Sequence, residues 1–160
     1  MATFDPAGMQ DWLVSHALAS GVFSSVNGHE ATDVPDPGIT AAGWLSVVMP
    51  APMRSGLAVT SARSTWMVRA HLNLFREPRD AIDPALLSAM STLLGLYMDD
   101  LTITNAAGDL LGEFDPMGYA GGQPFQLLAG YLEIGKKHFR TLDLSISIAT
   151  DDCWAQGRDA

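Results

Sequence analysis

Residues 55–89 read SGLAVTSARSTWMVRAHLNLFREPRDAIDPALLSA. Within this stretch Trp66, Val68, Ala70, Leu72 and Leu74 fall on one side of an extended chain, and Arg63, Thr65, Met67, Arg69, His71 and Asn73 on the other. A period of two with one apolar face is the signature of a half-buried strand. The spacing predicts one long strand over 57–75, or two strands with a bend near Ser61-Ala62-Arg63-Ser64. Glu77-Pro78-Arg79-Asp80 reads as a charged turn. Asp83-Pro84 then supplies a capping carboxylate and a proline suited to a first helical position. Leu86, Leu87, Met90, Leu93, Leu94 and Tyr97 follow at helical spacing, which predicts an amphipathic helix over 84–98. Asp99-Asp100 should end it, because negative charge is disfavoured at a helix C-terminus.

The flanking sequence extends this pattern. Asp5-Pro6 repeats the cap-plus-proline signal, and Met9, Leu13 and Ala17 at steps of four predict a helix over 7–20, closed by Gly21. Residues 24–43 read as a long loop containing Asn27-Gly28 and Asp36-Pro37-Gly38, with a short strand from Trp44 to Met49 stopped by Pro50 and Pro52. A turn at 105–108, a short strand over 110–115, a turn at Asp115-Pro116-Met117-Gly118 and a glycine-rich loop to Pro124 come next. Residues 126–134 and 138–149 read as a hairpin about Gly135-Lys136-Lys137. Its second arm sets Leu142, Leu144, Ile146 and Ile148 against Asp143, Ser145 and Ser147. The tail from Asp151 carries turn residues and charges, with Trp154 as its anchor. This element order predicts one α+β domain over residues 1–160, with a mostly antiparallel sheet, helices packed on one face, and long loops.

The formal net charge of -9 argues against sequence-independent DNA binding, which depends on cations neutralising phosphates. The 17% share of charged residues is low, and leaves part of the surface neutral or apolar. Oligomerisation is one explanation, and Gly, Ala and Ser in long loops is the other. The single cysteine, Cys153, excludes an intramolecular disulfide and fits a reducing compartment. The N-terminus lacks the basic and apolar regions of a signal peptide, and no membrane span is expected.

Catalytic signals are weak. The histidines at 16, 29, 71 and 138 lie in four separate segments without metal-ligand spacing. His29-Glu30 resembles half of a zinc motif but lacks its second histidine. His71, on the polar side of the long strand, reads as a surface or interface residue. The carboxylate pairs Asp99-Asp100 and Asp151-Asp152 read as solvated segment ends rather than an acid and base in contrasting environments. Cys153 has an acidic neighbour, which raises rather than lowers a thiol pKa. Ser55, Ser61 and Ser64 lack a nucleophile elbow, and Gly118-Tyr119-Ala120-Gly121-Gly122 lacks the lysine of a phosphate loop. No catalytic residue, cofactor or metal is assigned. The long polar strand face and its flanking turns instead suggest a subunit or tube interface made by Arg54, Ser55, Gly56, Arg63, Arg69, Glu77, Arg79 and Asp80. Pairing of Arg63 and Arg69 within the chain is the simpler alternative.

Several short motifs share an order with a known family. They are Gly21-Val22-Phe23 with Val26 and His29-Glu30, Gly38-Ile39-Thr40-Ala41-Ala42 before Trp44, and Pro50 and Pro52 before Ser55-Gly56-Leu57. Asp115-Pro116-Met117-Gly118, Gly130-Tyr131-Leu132 with Phe139-Arg140, and Asp152 with Trp154 complete the series. Across residues 10–154 this order resembles the tail terminator proteins of long, non-contractile phage tails, especially those of actinobacteriophages. The chain departs from the pattern at Pro116 and in the acidity near Asp99-Asp100. The resemblance implies a virion subunit, assembled in the bacterial cytoplasm, that forms a homo-hexameric ring at the head-proximal end of the tail. Its partners would be further copies, the tail tube protein and a head-completion protein. Genome DNA would pass through the channel without specific binding. A head-tail connector or tail-completion protein is the alternative in the same setting. A small α+β enzyme or ligand-binding domain is the alternative of another class.

Overall fold

A computed structural model describes residues 4–30, 38–51, 59–75, 79–120 and 123–155. Its elements are α1 (Pro6–Ala19), β1 (Ser25–Asn27), β2 (Thr40–Ala51), β3 (Val59–Asn73), a 3-10 turn (Arg79–Ala81), α2 (Ile82–Asp99), β4 (Thr102–Thr104), β5 (Leu110–Phe114), β6 (Gln126–Ile134) and β7 (Lys137–Ala155). The seven strands form one sheet in the order β1-β2-β3-β7-β5-β4, and β6 also pairs with β7. β1 runs parallel to β2, and the other pairs are antiparallel.

The expected α+β class does not hold. Strands account for 48% of the chain and helices for 27%, so the protein is mostly β, with a mixed sheet curled into a half-barrel and two α-helices. The difference comes from strand length. Residues that read as stops are absorbed into strands instead. Pro50 sits in β2 opposite Ala62, and a register irregularity near Leu45–Val47 lets β2 run for 12 residues rather than stopping at Met49. Asp151 and Asp152 belong to β7, which is 19 residues long, and Asp152 takes the left-handed φ of 48° beside a register irregularity between Thr60 and Ala62. The tail that read as turns is therefore strand, paired with the start of β3.

β3 and β7 form the spine. Their register sets Trp66 opposite Ile146, Val68 opposite Leu144 and Ala70 opposite Leu142. Partners across a ladder share a face, so the two alternating patterns combine into one apolar surface. Met9 and Leu13 of α1, with Leu86, Met90, Leu93 and Tyr97 of α2, complete that core. Each fully buried Leu or Ile side chain contributes roughly 1.5–3 kcal/mol relative to an exposed one.

The helix ends follow local chemistry in one case and not the other. The Asp5 carboxylate accepts a hydrogen bond from the Gly8 amide at 3.0 Å, and Gly21, with φ 76°, follows the last turn of α1. α2 begins at Ile82 rather than Pro84, with Ala81 as its cap and no side-chain capping bond. Asp83 is instead engaged by Arg140. The 21 residues from Arg79 to Asp99 are long and apolar enough, by composition, to cross a membrane, and a third of that stretch is buried on the sheet. The β6–β7 hairpin closes through Gly135 (φ 56°) and Lys136 (φ 68°). Two left-handed residues match the twist of a two-residue hairpin turn.

Candidate functional site

Two clusters bring polar side chains together. The first lies on the sheet face that carries no helix. Arg69 on β3 stands opposite Asp143 on β7 and Ala42 on β2. Its Nε donates to Asp143 Oδ1 at 2.7 Å, its Nη2 to Asp143 Oδ2 at 3.0 Å, and its Nη1 to Glu30 Oε1 at 3.0 Å. The guanidinium also lies 5.3 Å from the centre of the Trp44 ring. The hydrogen bond to Asp143, more than any other influence, raises the Arg69 pKa and holds it cationic.

His71 is the next residue on the same face and is 1% exposed, not a surface residue as its place in the alternation suggested. It lies between Thr40 and Thr141, and its ring meets Phe139 edge-on. Neither ring nitrogen makes a hydrogen bond, and nor does the buried Thr40 hydroxyl. The Thr40 backbone pulls the pKa upward without hydrogen-bond geometry. Burial is the larger effect and lowers it, so the ring is neutral.

The second cluster forms where α2 begins. Arg140 on β7 donates to Asp83 at 2.9 and 3.5 Å and to the Gly130 carbonyl at 3.2 Å. Its guanidinium lies 4.5 Å from the Tyr131 ring centre. This ion pair divides a groove between α2 and the β6–β7 ladder. On one side a cavity of about 140 Å³ is walled by Leu86, Leu87, Ala129 and Leu142. On the other a cavity of about 330 Å³ is walled by Leu74, Phe75, Arg79, Ile82 and Tyr131.

The residues expected at an interface do not form one patch. Arg69 is used within the chain. Arg63 donates to the Met49 sulfur at 3.1 Å, at an exposed position near the other end of β3. Arg79 lies 6.0 Å from the Phe75 ring centre, and Asp80 is exposed beside it in the 3-10 turn. Arg54, Ser55, Gly56 and Glu77 lie outside the described residues. The Arg69 finding also makes that residue a poor probe of assembly, since changing it disturbs an internal cluster first. Sequence reasoning missed Glu30, Trp44 and Asp143 around Arg69, and Asp83, Tyr131 and Arg140 around the groove. Asp143 and Arg69 had each been placed on a polar face, so the strand pairing was the only missing step. Arg140 and Asp83 are 57 residues apart, and no local signal connects them.

The remaining candidates are dispersed. His16 stacks between Trp12 and Tyr97, and burial lowers its pKa against the opposing pull of Asp100. Cys153 is half-buried, and burial raises its pKa, which suppresses the reactive thiolate. Among the described residues no group of three His, Cys, Asp or Glu side chains has metal-binding geometry.

No family model matches the sequence, and no curated protein matches it. One solved structure, whose name states no function, superposes with a TM-score of 0.49 at 14% identity, over 89% of this chain and 91% of that one. A likeness of that size carries no functional argument.

Proposed function

We propose that this chain is a ring-forming structural subunit that closes the head-proximal end of a long, non-contractile phage tail. In that role it stops addition of tube protein and offers the surface to which the head attaches. The observation that carries the reading is the shared order of short motifs from residue 10 to residue 154. It is supported by apolar side chains left in solvent at both ends of the sheet, among them Phe75, Tyr131, Leu101 and Leu110. Such patches mark contact surfaces more often than bare monomer surface. A subunit of a closed ring needs two different contact patches, one for each neighbour.

The channel of such a ring would repel rather than bind DNA. The net charge of -9 opposes phosphate contacts, so passage without adhesion is the expected behaviour. Antibody labelling of intact particles tests the location. Label confined to the junction of head and tail supports the proposal. Label along the whole tube, or at the distal tip, rejects it.

A further inference from the structure

The two ends of the molecule differ in charge in a way the overall balance conceals. Arg79, Lys136, Lys137 and Arg140, four of the nine Lys and Arg residues, gather where α2 begins and β7 starts. Three described carboxylates, Asp80, Asp83 and Glu133, accompany them, and Asp83 is already held by Arg140. The far end of α2 is acidic. Asp99 and Asp100 end the helix, the β4–β5 hairpin adds Asp109 and Glu113, and all four are exposed. Eighteen helical residues place these ends about 27 Å apart.

Each end also carries apolar side chains suited to contact. Tyr131 is 72% exposed and Leu87 55% exposed along the groove beside α2. Met98, Leu101 and Leu110 are exposed among the carboxylates at the other end. Aromatic and arginine side chains beside a cavity are typical anchors of protein interfaces. The β6 strand that borders the groove has no further partner strand among the described residues, and it contains no proline or bulge to block approach.

From this we infer that the groove between α2 and the β6–β7 ladder receives the acidic end of a second copy of this chain. The cationic, aromatic groove of one protomer meets the acidic, apolar end of the next. Charge complementarity selects the second copy as occupant, because the same chain carries both halves of the match. The contact is heterologous, joining two different patches, so each copy keeps one groove and one acidic end for further neighbours. The inference deepens the ring proposed above, and rests on it only for the closure of such contacts into a ring.

Sedimentation of two surface variants tests it. One alters the groove, Leu87→Glu with Tyr131→Glu. The other alters the acidic end, Asp99→Lys with Glu113→Lys. All four positions are exposed, and circular dichroism confirms the fold of each. The unaltered chain should self-associate at ~100 µM, and at least about tenfold more weakly when salt rises from about 0.05 M to about 0.5 M. Each variant alone should be monomeric. An equimolar mixture should form a heterodimer and nothing larger, because one intact groove and one intact acidic end remain. A monomeric unaltered chain, a groove variant that assembles normally, or a mixture that stays monomeric would overturn the inference. Self-association of this kind by a chain that never labels the tail would instead defeat the proposed function and leave the contact standing.

Discussion

Arg69 and Asp143 face each other across β3 and β7, with two nitrogens of the guanidinium on two oxygens of the carboxylate at 2.7 and 3.0 Å. Their side chains are 18% and 15% exposed, so the pair is neither a solvated surface contact nor a fully buried one. It lies between two long strands at the middle of the sheet and fixes their register. Removing one partner strands the other charge in a half-buried place. Asp143→Ala should therefore cost about 1–3 kcal/mol, and joint replacement by Arg69→Met and Asp143→Leu should recover most of it. Urea unfolding checks both. A single variant within about 0.5 kcal/mol of the parent would show that the pair is only a surface contact.

Leu144 is fully buried and stands opposite Val68, whereas Ser145 points to the other face. Leu144→Ala should destabilise the protein by about 2–5 kcal/mol through lost burial and a cavity. Ser145→Ala should have a much smaller effect. Equal melting temperatures for the two variants would refute the assigned face of β7.

The Tyr97 hydroxyl is buried in α2 against His16 and Phe114 and has no hydrogen-bond partner. Burial alone pushes its phenol far above the ordinary tyrosine range. Loss of an unsatisfied buried hydroxyl removes a desolvation cost without removing a bond, so Tyr97→Phe should stabilise by about 1 kcal/mol. Calorimetry should record a rise of about 2–4 °C. A fall in melting temperature would mean that the hydroxyl has a partner, such as a bound water.

Acid should weaken the fold through His71 and His16. Burial lowers both pKa values, partly offset at His71 by Asp143 and Glu30 and at His16 by Asp100. A base with a lowered folded pKa binds more protons when unfolded. The stability from its neutral form is complete above the unfolded value of about 6.5, and is lost as the pH falls below it. Unfolding free energies at about pH 7.5 and pH 5.5 should differ in that direction, and His71→Phe should reduce the difference. An unchanged slope in that variant would remove His71 from the account.

Much of the local structure was legible in the sequence. The alternation over Trp66–Leu72 and Leu142–Ile148, and the helical spacing over Leu86–Tyr97, each correspond to the right element and buried face. Pro50 and Asp151-Asp152 misled the reading, because a proline at an edge and a left-handed residue at an irregular register are tolerated inside long strands. Those extensions turned an expected α+β domain into a mostly β one. His71 looked exposed because alternation gives the side of a strand but not what lies over it. The Asp83–Arg140 pair depends on how α2 crosses β7, and that crossing has no local sequence signal.

The length distribution of tails, measured by electron microscopy on particles made with and without this chain, tests the central claim most directly. The proposed role predicts uniform tails joined to heads when the chain is present. Without it, tube growth should continue past the normal length, and tails should remain separate from heads. Tails of normal length that still join heads in its absence would contradict the account.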